Sequence, residues 1–193
     1  MHQLIFATNN AHKVSEIQPL VPAGIKIITL KEAGIDREIP EPHDTLEENA
    51  DEKSGVIYQL TGLDCFSEDT GLEVEALNGE PGVKSARYAG EPVSHKSNIG
   101  LLLKNMEGRP NRRARFRTII SLRWQGGLFH FEGVCPGKIQ TIESGANGFG
   151  YDPIFMPEGA TKSFGEMGLN EKSAYSHRAK AVEKLLAFLE TAQ

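Results

Sequence analysis

Helix-like and strand-like segments alternate through the first third of the chain, and strand-like runs set off by Gly and Pro-Gly pairs fill much of the second half. Few architectures accommodate both patterns. Leu4-Ile5-Phe6-Ala7 is a short apolar run of the kind that forms a buried strand. It passes into Thr8-Asn9-Asn10, which favour turns and caps, and then a helix is expected with Val14, Ile17 and Leu20 on one face. Ile25–Leu30 reads as a second strand. Thr45 with Glu48 three residues on matches a capping box, so a helix is expected from there to about Leu60, ending near Gly62. Leu63–Ser67 and Leu72–Ala76 read as two strands around a polar turn, Glu68-Asp69-Thr70-Gly71. A helix over Ser94–Met106 and a long strand over Arg113–Trp124 follow. Strands at Leu128–Val134 and Lys138–Ile142 are separated by Pro136-Gly137. Residues 144–169 are rich in Gly and Pro and read as loop, and a last helix starts near Ser176. The order predicts an α/β fold with a mixed sheet.

Length and charge narrow the function. The 193 residues suit one domain over 1–193, and the net charge of −5 disfavours a surface built to grip a nucleic-acid polymer or an anionic membrane. An anionic ligand in a locally basic pocket remains compatible with it. No apolar run is long enough to span a bilayer, and the N-terminus lacks a basic leader, which points to the cytoplasm. Cys65 and Cys135 lie outside any CxxC pair and read as buried free thiols.

Four polar clusters could carry chemistry. Thr8-Asn9-Asn10-Ala11-His12-Lys13 closes a strand and opens a helix, where free N–H groups and a lysine suit phosphate; taken in isolation, an ordinary helix cap is the favoured reading. Glu41, Glu47, Glu48, Glu68 and Asp69 are carboxylates near strand and helix ends, a setting that suits Mg²⁺, although a solvated turn would also explain Asp69, and Glu48 reads as a cap. Asn147-Gly148-Phe149-Gly150-Tyr151-Asp152 offers glycines for close backbone approach and aromatics that could stack on a base or fill a core. Lys172, Ser176, His177 and Arg178 place cations at a helix start, against its dipole, which suggests a ligand or a solvated basic turn. Arg113, Arg115 and Arg117 alternate with Ala114, Phe116 and Thr118, as on a half-solvated strand, and are not read as a nucleic-acid stripe.

In this order and spacing, TNNAHKVSE (Thr8–Glu16), ENADEK (Glu48–Lys53), SEDTGLEVEALNGEPGVKSARYAG (Ser67–Gly90), NGFGYDPIF (Asn147–Phe155) and EKSAYSHRAKA (Glu171–Ala181) resemble the inosine triphosphate pyrophosphatase family, also called the dITP/XTP pyrophosphatases. The resemblance implies two α/β lobes around a long bent mixed sheet with flanking helices, and an active site in the cleft between them. It implies Mg²⁺-dependent hydrolysis of ITP, dITP and XTP to the monophosphate and pyrophosphate, by a homodimer that clears these nucleotides. Carried over residue by residue, it makes Thr8, Asn9, Asn10, Ala11, His12 and Lys13 the phosphate loop, with Lys53 near the phosphates. Glu41 and Asp69 become metal ligands, with Glu68 a further candidate; Asp69 is also catalytic and Thr70 contacts substrate. Phe149, Gly150, Tyr151, Asp152, Lys172, His177 and Arg178 match nucleoside-binding positions, with Phe149 and Tyr151 expected to sandwich or edge the base. Many bacterial members carry two aspartates and a serine where this chain has Glu68, Asp69 and Thr70.

Overall fold

The computed structural model of the chain describes residues 2–192. In chain order the strands and helices are β1 (His2–Phe6), α1 (Ala11–Ile17), β2 (Ile25–Thr29), α2 (Leu46–Thr61), β3 (Cys65–Val74), β4 (Pro81–Gly82), α3 (His95–Asn105), β5 (Arg113–Trp124), β6 (Gly127–Ile139), β7 (Phe155–Pro157), α4 (Leu169–Ser173) and α5 (His177–Thr191). The sheet runs β2-β1-β3-β5-β6-β7, with β4 on β3. It is mixed: β1 is parallel to both β2 and β3, whereas β3–β4 and β6–β7 are antiparallel. The α/β expectation holds. Among the described residues no helix is long and apolar enough to cross a membrane.

The chain folds as two compact units. One takes residues up to Asp69, Thr118–Gly133, and the chain from Arg178; the other takes Thr70–Arg117 and Val134–His177. In the first unit the two-residue period of β1 decides which helix each side chain meets. Leu4 and Phe6 pack with Ile17 of α1 and with Ala181, Val182, Leu185 and Leu189 of α5. Ile5 and Ala7 point the other way and pack with Ile57 of α2 and with Cys65. A strand covered on both faces must be apolar throughout, which is why Leu4–Ala7 shows no polar alternation. Phe66 of β3 stacks on Phe6, centroids 4.4 Å apart. In the second unit Leu72 and Val74 of β3, Ile99, Leu102 and Met106 of the α3 segment, and Ala114 and Phe116 of β5 share one core with Phe155 and Phe164.

Two strand expectations are corrected. Cys65–Val74 is one continuous strand, not two strands around a turn, and Glu68 and Asp69 lie buried in its middle. Their charge suggested exposure, but each has a buried cationic partner that permits burial. Likewise β6 continues through Pro136-Gly137, where two strands were expected. Gly137 lets the backbone of Met156 approach so closely that a Cβ there would lie 2.4 Å from its carbonyl oxygen. The loop read over 144–169 also holds the short strand β7. Elsewhere the local signals hold. Thr45 caps α2 through the Glu48 N–H, and Ser94 caps α3. Arg113 and Arg115 are exposed on β5 while Ala114, Phe116 and Thr118 are buried. Cys65 and Cys135 are buried free thiols, and burial pushes the Cys65 thiol up to about 12, which keeps it unreactive.

Candidate active site

The first unit assembles most of the charged groups. Period-two alternation sends Phe66 and Glu68 of β3 toward α1 and α5, and sends Cys65, Ser67 and Asp69 toward α2. The Ser67 hydroxyl accordingly donates to the carbonyl of Ala50 on α2. Two adjacent carboxylates thus enter two different networks.

On the α2 face, the Lys53 ammonium donates to Glu41, to the Glu68 carbonyl at 2.7 Å and to Asp69 Oδ1 at 3.2 Å. Asn49, four residues before Lys53 on the same helix face, is fully buried. Its amide accepts from the His43 N–H at 3.0 Å and donates to the His43 carbonyl at 3.1 Å. That clamp fixes the Pro-flanked loop that carries Glu41. Burial pushes the Asp69 carboxyl up, with Lys53 pulling against it and Glu41 adding to the rise. Burial opposes the charge of Lys53, but Asp69 and Glu41 outweigh it and keep the ammonium protonated. Asp69 Oδ2 is buried with no hydrogen-bond partner among the described residues. A desolvated, unpaired carboxylate oxygen is a cost unless a cation or a water completes it.

On the opposite face, Glu68 is saturated. Arg178 donates to it through Nε (2.8 Å to Oε2) and Nη2 (2.9 Å to Oε1), and Lys13 Nζ lies 3.0 Å from Oε1. Arg178 Nη1 also reaches Glu16. Burial alone would raise the Glu68 carboxyl, yet Arg178 and Lys13 hold it well below the usual carboxylate range. This pairing answers the puzzle of cations at a helix start: Glu68 and Glu16 offset the cost of Arg178 in the first turn of α5. Between β1 and α1, Thr8 Oγ1 accepts from the Asn10 N–H at 3.1 Å, and Asn10 Oδ1 accepts from the N–H groups of His12 (3.0 Å) and Lys13 (3.4 Å). Asn9, Ala11 and His12 are exposed around this cap.

The second unit gathers the aromatic and remaining basic residues. Asp152 Oδ2 accepts from the Phe149 N–H at 2.9 Å and from the Lys172 ammonium at 2.7 Å. Gly148 has φ +73°, and a Cβ there would lie 2.0 Å from Asp152 Oδ2, so only glycine permits this turn. Phe149 is half-buried, and Lys172 Nζ sits 5.4 Å from its ring centre. Tyr151, expected to sandwich or edge the base, is largely enclosed. It is 3% exposed, sits in the core, and its hydroxyl donates to the Ser85 carbonyl at 2.9 Å. His177 is buried, its ring stacked on Phe116 at 4.7 Å. Thr70 is half-buried on β3, next to Gly71, which takes no side chain because the Gly82 carbonyl would meet its Cβ at 2.7 Å.

A family model described as the Ham1 family matches residues 4–188. The chain belongs to the Ham1 family. It is 47% identical over 187 residues to the dITP/XTP pyrophosphatase of Flavobacterium johnsoniae, covering 97% of each chain, and 49% identical over 190 residues to that of Porphyromonas gingivalis, covering 98% of each. Among solved structures it is similar to the Staphylococcus aureus Ham1 protein (TM-score 0.90, 37% identity) and to a HAM1 protein from Coxiella burnetii (TM-score 0.91, 34% identity). Each alignment covers 99% of this chain and 100% of the other.

Three residues of this Ham1 chain enter the networks without having been singled out from sequence. Glu16 completes Arg178, Asn49 clamps the Glu41 loop, and His95 accepts from the Gly150 N–H at 3.2 Å. Glu16 and Asn49 lie inside quoted motif blocks, so their proximity to charged partners was the available signal. His95 carried none. Among the described residues no three Asp, Glu, His or Cys side chains converge as a metal cage. Mg²⁺ does not need one, since it is commonly held by one or two carboxylates and completed by water and substrate phosphates. Glu41 and the open oxygen of Asp69 fit that requirement, whereas the oxygens of Glu68 are already engaged by Arg178 and Lys13.

Proposed function

We propose that the chain hydrolyses deaminated purine nucleoside triphosphates (ITP, dITP and XTP) to the monophosphate and pyrophosphate, with Mg²⁺. We take residues 1–193 to work as one nucleoside-triphosphate pyrophosphatase domain, in a cytoplasmic homodimer whose partner is free nucleotide and not a nucleic-acid polymer. What carries the reading is the near full-length likeness to proteins named dITP/XTP pyrophosphatases, joined to a buried Asp69 that keeps one oxygen open beside Lys53 and Glu41.

In this reading Glu41 and Asp69 hold Mg²⁺, which neutralises charge on the phosphate oxygens when bound. Asp69 orients the attacking water at the α-phosphorus and takes its proton, and its raised carboxyl value suits a group that must accept one. Lys53 stays charged beside it and meets the polyphosphate, while Lys13 does so from α1. The N–H groups and side chains of Thr8, Asn9, Asn10, Ala11 and His12 border the phosphates, and Thr70 borders the sugar-phosphate next to Asp69. Phe149 supplies a face for the base, a contact worth about 1–3 kcal/mol. Gly150 lets the backbone come close, and Asp152 and Lys172 brace the loop as a buried pair. Donors from His177 and Arg178, or backbone N–H groups, read the 6-keto acceptor of the base, which adenine replaces with a donor. A site built on such hydrogen bonds rejects the wrong partner strongly because its own polar groups are left unpaired.

The test is a turnover panel of dITP, XTP, dGTP and dATP with and without Mg²⁺, with both pyrophosphate and orthophosphate measured. Pyrophosphate from dITP and XTP alone, lost on chelation, is expected. Orthophosphate with the diphosphate as products would reject the reading.

A further inference from the structure

We propose that His95 is a positioning residue for the base-binding loop, holding Phe149 in place through the backbone of Gly150; this rests on Phe149 meeting the base as argued above. The loop has two glycines with positive φ, Gly148 at +73° and Gly150 at +61°. Such a segment loses much conformational freedom when ordered, so it stays in one shape only where its polar groups are tied down.

The ties can be followed residue by residue. Asn147 donates from its N–H to the Gly165 carbonyl at 2.9 Å and from its amide to the Met167 carbonyl at 3.2 Å. The Phe149 N–H is held by Asp152 at 2.9 Å. The Gly150 N–H is held by His95 Nδ1 at 3.2 Å. The N–H groups of two successive residues, Phe149 and Gly150, are therefore fixed by two different side chains. Asp152 lies within the loop's own turn, and His95 lies 55 residues away in sequence. His95 thereby ties Gly150 to a separate helix. It is the first residue of α3, a helix capped by Ser94 and anchored in the core by Ile99 and Leu102.

In this bond Nδ1 is the acceptor. The His95 ring also lies near the Phe149 ring, centroids 6.3 Å apart at 45°, within the range of aromatic pairs. Truncating His95 frees Gly150 and, with it, the orientation of the Phe149 face, and touches none of the groups around Asp69. The expected signature is weaker nucleotide capture with unchanged chemistry.

The test compares His95→Ala and His95→Asn in the full chain, with dITP as substrate and pyrophosphate as readout. Asn places an Oδ1 acceptor close to the position of Nδ1. His95→Ala is expected to raise KM about threefold to tenfold, the loss of about one hydrogen bond. kcat should stay within about twofold, because the reacting groups are untouched. His95→Asn should bring KM back to within about twofold of the parent. Both variants should melt within about 2 °C of it, since His95 is exposed. An unchanged KM in His95→Ala, an equal rise in both variants, or a fall in kcat in place of a rise in KM would overturn the proposal. A parent chain that does not turn over dITP or XTP would instead overturn the functional reading, and this inference with it.

Discussion

Glu68 and Asp69 are neighbours on one strand, both buried, and they differ in almost everything else. Glu68 faces α1 and α5 and has its oxygens filled by Arg178 and Lys13. Asp69 faces α2, spends one oxygen on Lys53 and keeps the other unpaired. Their carboxyls are pushed in opposite directions, Glu68 down and Asp69 up. A saturated buried carboxylate fixes the positions of its cations. An unsaturated one carries a standing cost that only a ligand, a metal or a proton relieves. One strand therefore supplies a saturated carboxylate and an unsaturated one, one residue apart, because a two-residue period turns adjacent side chains to opposite faces.

Activity should break this symmetry most sharply. Asp69→Asn removes the proposed proton acceptor while keeping shape, and turnover of dITP should fall about 10²–10⁴-fold in a pyrophosphate-release assay. Near-parental turnover would remove Asp69 from the chemistry.

Acid should act on the pair with opposite signs. Glu68 titrates lower folded than unfolded, so its contribution is present above its ordinary value of 4.5 and drains away as pH falls below it. Asp69 titrates higher folded than unfolded, so its contribution is present below its ordinary 3.8 and lost as pH rises through the folded value. The acid limb of unfolding free energy against pH should be flatter in Glu68→Gln than in the parent, and steeper in Asp69→Asn. Parallel limbs in all three would contradict the opposite shifts.

The open oxygen of Asp69 has Glu41 as its proposed companion. Glu41→Gln should raise the Mg²⁺ concentration for half-maximal turnover at least about tenfold. Its effect on the melting temperature should be small, because the Glu41 side chain is 29% exposed. A Mg²⁺ curve that superimposes on the parent's would assign Glu41 to packing alone.

The smallest effect separates two aromatics of one loop. Tyr151→Phe loses the bond to the Ser85 carbonyl, about 1 kcal/mol of stability by denaturant titration, with KM unchanged. A rise in KM for Tyr151→Phe would return Tyr151 to the base.

Much of this was legible from residue order. The cap at Thr45 is local, and local hydrogen bonds leave local signatures. The alternation along β5 is equally plain, because one side of each half of that strand meets a core. The middle of β3 was not legible. Glu-Asp-Thr-Gly reads as a solvated turn unless Lys53, Arg178 and Lys13 are known to converge on it, and those partners lie up to 110 residues away. The burial of Tyr151 was not legible for a related reason: a Gly-rich aromatic segment looks the same whether its ring meets a ligand or a core. The candidate residues themselves came from motif order, whereas their pairing came from the sheet.

The division between the saturated and the unsaturated carboxylate is tested most directly by the unfolding free energies of Glu68→Gln and Asp69→Asn at pH 7, by urea titration without nucleotide or metal. Glu68→Gln should lose about 3–5 kcal/mol, as expected when one partner of a buried pair is removed. Asp69→Asn should hold the parent's stability or exceed it, because it removes a buried charge that is only half satisfied. Equal losses in the two variants would contradict the account.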